Sequence, residues 1–245
     1  MPENIDHAII LAAGKGTRLR PVTGDEYPKP LTPVAGVPML ERSIRALQAA
    51  GVSHIRIGCG YMIERFRYLE AKYGVRIVDN PRYDDYGSLY TLLVFRELVE
   101  EPFYLLEGDL LYDPEVLEKL ATARDGRNLM AASAPLELED NIYYSTRSGR
   151  LSRLAREEVP GRASEGVMTG IWAFSGGFLQ RFSAFVDANE ISYTADYEFT
   201  LAQYSREQEA IRVLNLPDLD WCEIDNKNHL QYALSQVLPK ISGSV

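Results

Sequence analysis

Residues 11–31 read LAAGKGTRLRPVTGDEYPKPL, and this stretch decides the fold. It follows a short apolar run at 7–11, which reads as a buried strand ending on Ala12-Ala13-Gly14. Small residues at that point let backbone N–H groups approach an anion. The loop carries Lys15, Arg18, Arg20 and Lys29 against only Asp25 and Glu26. Arg can fork onto phosphate oxygens, and Lys acts as a mobile point charge. Two better-known phosphate loops are excluded. A dinucleotide fingerprint needs a third glycine where this chain has Leu19, and a P-loop needs Ser or Thr where Gly16 follows Lys15.

Beyond the loop, helix and strand patterns alternate. Leu40, Ile44 and Leu47 predict a helix over 39–50, closed by Gly51. A strand at 54–58, a helix over 62–73, a strand at 75–78 and a helix over 88–99 follow. A further buried strand at 103–106 ends on Glu107-Gly108-Asp109. Such alternation predicts a parallel, doubly wound α/β sheet. The second half changes character, with strands at 129–134, 142–145, 151–155 and 167–174. Ser148-Gly149 joins the middle two as a hairpin. Helices at 177–186 and 197–206, a strand at 211–214, the run 221–225 and a last helix complete the chain. With no repeat, low-complexity segment or linker, 1–245 reads as a single domain. Its nucleotide half is about 1–125 and its acceptor half about 126–245.

The 245 residues, 46% hydrophobic and 25% charged, can bury a core without staples. A net charge of -9 argues against nucleic acid as a partner and makes the local cation excess of the loop informative. Cys59 and Cys222 are too far apart in sequence for a zinc spacing and too few for a disulfide framework. A reducing, cytoplasmic setting is expected. The acidic N-terminus does not read as a secretory signal, and no stretch reads as a membrane span.

Two carboxylate positions stand out. Asp109 follows a buried strand, where open α/β sheets bind ligands. In Trp221-Cys222-Glu223-Ile224-Asp225, strand alternation places Glu223 and Asp225 on one side. Hard oxygen ligands of this kind suit Mg²⁺ bridging phosphates. Each Asp also has a competing reading as a helix N-cap, since helices begin shortly after both.

The run 11–19, Pro-Lys-Pro-Leu at 28–31 and 34–40 together resemble the signature of the sugar-nucleotidyltransferase-like superfamily. The resemblance implies a Rossmann-like doubly wound mixed sheet with an inserted, smaller β-rich acceptor-binding portion. It implies that Leu11, Ala13, Gly14, Lys15, Gly16 and Thr17 seat a nucleotide, that Arg18 and Lys29 act on its phosphates, and that Asp109, Asp225 and Glu223 hold magnesium. The segment 83–93, with Gly87 and Ser88 facing the base, and EGDLLY at 107–112 resemble the phosphocholine and 2-aminoethylphosphonate cytidylyltransferase branch. That branch implies CTP and a small phosphorylated or phosphonate acceptor with a cationic end. Such an end is met by aromatic faces or carboxylates, which points to Tyr143, Trp172, Tyr193 and Asp196. A sugar-1-phosphate uridylyl- or thymidylyltransferase and a non-catalytic nucleotide-binding regulator remain alternatives, and a homodimer is left open. His7, His54 and His229 share no spacing and read as structural or exposed.

Overall fold

The computed structural model describes residues 5–158 and 164–241. The first strand, β1 (His7–Ala12), leads into the loop, which contains a single helical turn, α1 (Arg20–Thr23). A two-residue ribbon, β2 (Pro33–Val34) and β3 (Val37–Pro38), enters α2 (Met39–Ala49). Then come β4 (His54–Cys59), α3 (Tyr68–Tyr73), β5 (Arg76–Asp79), α4 (Ser88–Leu93), β6 (Phe103–Glu107), β7 (Leu110–Tyr112) and α5 (Glu115–Arg124). The second half of the chain contains β8 (Asn128–Ser133), β9 (Tyr143–Arg147), β10 (Arg150–Ala155), β11 (Gly166–Phe174), α6 (Phe178–Ala188), α7 (Tyr197–Glu207), β12 (Ile211–Asn215), β13 (Trp221–Glu223) and α8 (Lys227–Tyr232).

Nine strands make one mixed sheet, ordered β10-β9-β11-β6-β1-β4-β5, with β8 joined to β11 and β12. β1 runs parallel to both β4 and β6, so the apolar run 7–11 lies at the centre. β11 lies antiparallel to β6, from Ile171 opposite Leu106 to Phe174 opposite Phe103, and couples the two halves. The hairpin of β9 and β10 turns on Ser148 and Gly149, both at positive φ (53° and 74°), as its strand twist requires.

Alternation along β1 feeds two cores. Ala8, Ile10 and Ala12 face α2 and α5, whereas Ile9 faces α4, α6 and α7. A third, smaller cluster joins Leu19, Met39, Leu111, Cys222 and Ile224 directly beneath the loop. Both cysteines are buried and unpaired. Among the described residues no helix is long and apolar enough to cross a membrane.

Three expectations change. The helix expected over 62–73 splits into a 3₁₀ turn (Ile63–Phe66), entered from Met62 in the left-handed region (φ 52°), and α3. Regular helix over 88–99 stops at Leu93, after which i→i−3 bonds such as Phe95 N–H to Leu92 O tighten the chain. The strand β7 was not apparent from the sequence. It pairs antiparallel with β13, Leu110 opposite Glu223, and Ile224 N–H donates to Asp109 O at 3.0 Å. This ribbon brings two acidic positions more than a hundred residues apart to one place.

Trp172 on β11 belongs to the core and not to a ligand cage. Its relative exposure is 0%, with Phe174 stacked at 5.9 Å. Trp172→Ala is therefore expected to destabilise the fold by about 3–5 kcal/mol. Chemical denaturation measures this, and a loss below about 1 kcal/mol would contradict the core assignment.

Candidate functional site

Lys29 sits in a 3₁₀ turn (Lys29–Leu31) between Pro28 and Pro30, which hold the chain as its side chain turns inward. Gly16, at φ 58°, makes room for it: a Cβ there would lie 2.5 Å from Lys29 Cβ. The buried ammonium meets Asp109 Oδ2 at 2.5 Å, Glu223 Oε1 at 3.5 Å and Asp225 Oδ1. Arg18, half-exposed, places Nη2 at 2.8 Å from Asp225 Oδ2 and pairs with Asp140 through Nη1. The two cations of the loop thus reach the carboxylates delivered by the ribbon.

Neither Asp109 nor Asp225 caps a helix. Asn226 caps α8, accepting from Asn228 N–H at 2.8 Å and His229 N–H at 3.0 Å. Asp113 accepts from Glu115 N–H at the start of α5. The competing reading of both positions is thereby removed.

A cleft of about 720 Å³, counting space open to solvent, runs from the loop across the carboxylates. It brings Leu11, Ala13, Gly14, Gly87 and Ser88 together with Asp109 and Glu223, as the sequence suggested. Lys15 is outside its wall, its ammonium 2.5 Å from Asp84. Gly16 supports Lys29 from behind, and Thr17 opens an exposed 3₁₀ turn. The Ser88 hydroxyl accepts from Tyr197 N–H at 3.0 Å and ties α4 to α7.

Two further carboxylates line this cleft: Glu107, which was not singled out as a ligand from the sequence, and Glu198, one of the acidic residues of the second half that suit a cationic acceptor. Glu107 precedes Asp109 by two residues, and the i, i+2 rule already applied to Glu223 and Asp225 would have found it. Carboxylate oxygens of Glu107, Asp109 and Glu223 all lie within 4.8 Å of one another. Asp225, expected in that set, is engaged instead by Lys29 and Arg18. Tyr197 Oη–H donates to Glu107 Oε1 at 2.7 Å, and Gly170 (φ 74°) leaves space that a Cβ would take 2.5 Å from Glu107 Oε2.

Proximity of like charges and burial drive these groups apart. Burial opposes charge on Lys29, yet Asp109, Glu223 and Asp225 outweigh it and hold the ammonium firmly protonated. Burial also works against ionised Asp225, but Lys29 and Arg18 keep its carboxyl below the ordinary value. Burial and neighbouring Asp109 push Glu223 well up. Burial, Asp109 and Glu198 push Glu107 to about 8, and burial pushes Glu198 to about 7.

The expected acceptor residues do not converge. Trp172 is closed inside the core. Tyr193 meets Tyr86 edge-on and Tyr90 at a tilt, ring centroids 5.6 and 5.5 Å away, and lines a separate surface depression. Asp196 is paired with Arg156 at 3.0 Å, and Tyr143 is half-buried in the sheet opposite Val167. A second, narrow depression, with room for about one water (about 20 Å³), adjoins Glu107 and Glu223 and is walled by the 136–142 loop, Met168, Trp221 and His229.

A phosphate-competent glycine loop facing strand-end carboxylates across a mixed α/β sheet defines a nucleotidyltransferase. The chain belongs to the MobA-like NTP transferase domain family, whose model matches residues 8–165. It is similar to a choline-phosphate cytidylyltransferase of Streptococcus pneumoniae, 45% identical over 102 residues, 42% of this chain and 44% of that one. The aligned stretch is thus less than half of that relative's length. A 2-aminoethylphosphonate cytidylyltransferase of Lancefieldella rimae is 31% identical over 185 residues, covering 74% of this chain and 71% of the relative. The solved inositol-1-phosphate CTP transferase from T. maritima superposes with a TM-score of 0.84 over 100% of this chain and 99% of that one. At 21% identity it shares the Rossmann-like fold.

The raised Glu107 carboxyl has a consequence for stability. It keeps its proton in the folded state where the unfolded chain, near 4.5, has lost it. Its support for folding is therefore complete below about pH 4.5 and is lost as pH rises through about 8. Glu107→Gln cannot ionise, so its stability relative to the parent should climb across that window. The gain expected above the window is at least about 1.4 kcal/mol, the equivalent of one pKa unit. Parallel stability–pH curves for parent and variant would contradict it.

Proposed function

We propose that this protein transfers a cytidylyl group from CTP to a small phosphorylated or phosphonate acceptor with a cationic end, releasing pyrophosphate. The observation that carries the reading is the buried Lys29 ammonium held among Asp109, Glu223 and Asp225, of which Asp109 and Glu223 line the glycine-loop cleft. Relatives named for phosphocholine and aminoethylphosphonate support the base and the acceptor class.

An acceptor oxygen, already ionised near neutral pH, forms the new bond to the α-phosphorus of CTP. The bond from that phosphorus to the β-phosphate oxygen breaks, and pyrophosphate leaves with its electron pair. No protein nucleophile is required, so the side chains act by positioning and charge. Leu11, Ala13, Gly14, Gly87 and Ser88 form the nucleoside side of the cleft. Arg18 and Lys29 exchange carboxylate partners for triphosphate oxygens, and Lys15, on the rim, adds charge to the same end.

The residues present fit magnesium. Glu107, Asp109 and Glu223 offer hard carboxylate oxygens within 4.8 Å of one another, and Asp109 Oδ1 is buried without a hydrogen-bond partner. When bound, such an ion supplies the positive charge that neutralises phosphate oxygens during transfer.

Pyrophosphate release should be assayed with Mg²⁺, crossing CTP, UTP, dTTP and GTP with phosphocholine, 2-aminoethylphosphonate, inositol-1-phosphate and glucose-1-phosphate. Turnover confined to CTP with a cationic acceptor is expected. Turnover only with UTP or dTTP and glucose-1-phosphate would replace the acceptor class, and nucleotide binding without release would leave a regulator. Asp109→Asn should lower turnover by at least about 100-fold. Because Lys29 keeps Asp225 and Glu223, the variant should still fold, with a lowered unfolding midpoint that thermal melts measure, and turnover is compared well below it. Arg18→Ala should reduce kcat/KM for CTP by about 10- to 100-fold, the loss of a charged phosphate contact.

A further inference from the structure

Among the carboxyl groups lining the glycine-loop cleft, Glu198 stands apart. Glu107, Asp109 and Glu223 form the cluster that suits a metal ion, and Glu198 is not part of it. It lies in the first turn of α7, its side chain 7% exposed. Apart from its own backbone N–H, no donor among the described residues gives it a hydrogen bond. Its nearest cation, Arg156, stands 3.9 Å away, too far for a hydrogen bond. That guanidinium is held elsewhere, by Asp196 at 3.0 Å and by the Phe199 ring, whose centroid is 5.5 Å away. A buried carboxyl on the wall of an open cleft thus keeps acceptor capacity that the protein does not use. Donors on a ligand would relieve the cost.

The aromatic side chains of the same cleft, by contrast, are already engaged. Tyr197 is 1% exposed, meets Trp172 edge-on and gives its O–H to Glu107. The Tyr86 ring has the Arg82 guanidinium 4.7 Å from its centroid, with the Tyr90 and Tyr193 rings at 4.9 and 5.6 Å. Tyr83 lies so close to Gly60 that a Cβ there would be 2.5 Å from Tyr83 Cγ, and Tyr61 meets its ring edge-on at 6.4 Å. No set of open ring faces surrounds the cleft, and such a set is what recognition of a quaternary ammonium uses. A quaternary ammonium also carries no N–H and would leave Glu198 unbonded. A primary ammonium brings three donors and forms charge-assisted hydrogen bonds to a carboxylate. Burial leaves the Glu198 carboxyl near 7, and a cation beside it favours the ionised form.

We propose that Glu198 recognises the cationic end of the acceptor and selects a primary ammonium over a quaternary one, so that the substrate is an aminoalkyl phosphonate or phosphate and not phosphocholine. The inference rests on the transfer reading above and decides between the two head groups which that reading admits. It places the ammonium in the same cleft as the nucleotide, against α7, and leaves Glu107, Asp109 and Glu223 to the metal. Glu198 then acts on acceptor binding and not on the bond-forming step.

Pyrophosphate release is measured with CTP and Mg²⁺ for 2-aminoethylphosphonate, for phosphoethanolamine and for its successively N-methylated forms, which end at phosphocholine. Only the ammonium changes along the methylation series, and the parent protein alone suffices to read it. From the primary ammonium to phosphocholine, kcat/KM should fall by about 10-fold or more, the loss of a hydrogen bond to a charged group, with most of the fall in KM. Glu198→Gln keeps the shape of the side chain and removes its charge. It should raise KM for the primary acceptors by about 10-fold or more, flatten the series and leave KM for CTP unchanged. A parent series that is flat or rises toward phosphocholine would overturn the proposal and keep the transfer reading. So would a Glu198→Gln variant that raises KM for CTP or lowers kcat with the series unaltered, the mark of a structural role. Turnover with glucose-1-phosphate and with none of these acceptors would sink both. If no acceptor turns over, calorimetry with CMP and Mg²⁺ present decides. Binding of 2-aminoethylphosphonate that exceeds that of phosphocholine and is lost in Glu198→Gln keeps the proposal and sinks the transfer reading, whereas equal or absent binding sinks both.

Discussion

One buried ammonium holds this site together. Lys29 is 8% exposed and touches three carboxylates from two separate segments of the chain. Removing either sign of charge from such a group leaves the other desolvated and uncompensated, a loss of about 3–5 kcal/mol in comparable cases. The loop, β7 and β13 are therefore mutually dependent: the ribbon supplies the acids and the Pro-Lys-Pro turn supplies the cation. Gly16 is part of the same constraint, because the lysine stem occupies the space a side chain would need. In an acidic chain of net charge -9, the arrangement also keeps an anion site from being overwhelmed by its own carboxylates.

Much of this was legible before any coordinates. The apolar run at 7–11, the glycine turn and the cation excess mark a phosphate-facing strand end, and the strand is indeed central. Asp109 and Asp225 were found because both follow strand-like runs, although each could equally have capped a helix. What spacing cannot express is register between distant segments. The pairing of Leu110 with Glu223 decides which acids meet, and nothing local to either segment announces it. Asp225 was placed in the metal set with Asp109 and Glu223; in the structure its oxygens meet Lys29 and Arg18, and Glu107 lies close to Asp109 and Glu223.

The acceptor half was less legible for a different reason. An aromatic residue in a strand looks the same whether its face meets a ligand or a neighbouring ring. Trp172, Tyr193 and Asp196 were plausible by chemistry, yet burial, a tyrosine cluster and an ion pair to Arg156 respectively account for them. His229, read from the sequence as structural or exposed, is buried and accepts the backbone N–H of Asp225.

Trp172 nevertheless bears on the site through the core. Its indole N–H donates to Tyr197 Oη at 3.3 Å, and Tyr197 in turn donates to Glu107 Oε1. Both rings are buried, and Tyr197 is part of the cleft wall, so the chain of bonds fixes Glu107 from the core side of that wall. A carboxylate held this way cannot swing toward Lys29, which is already engaged by three others. It is kept instead beside Asp109 and Glu223, where burial and the neighbouring Asp109 favour its protonated form and a divalent cation would favour the ionised one. The crowding of carboxyl groups in this corner thus follows from its hydrogen bonding.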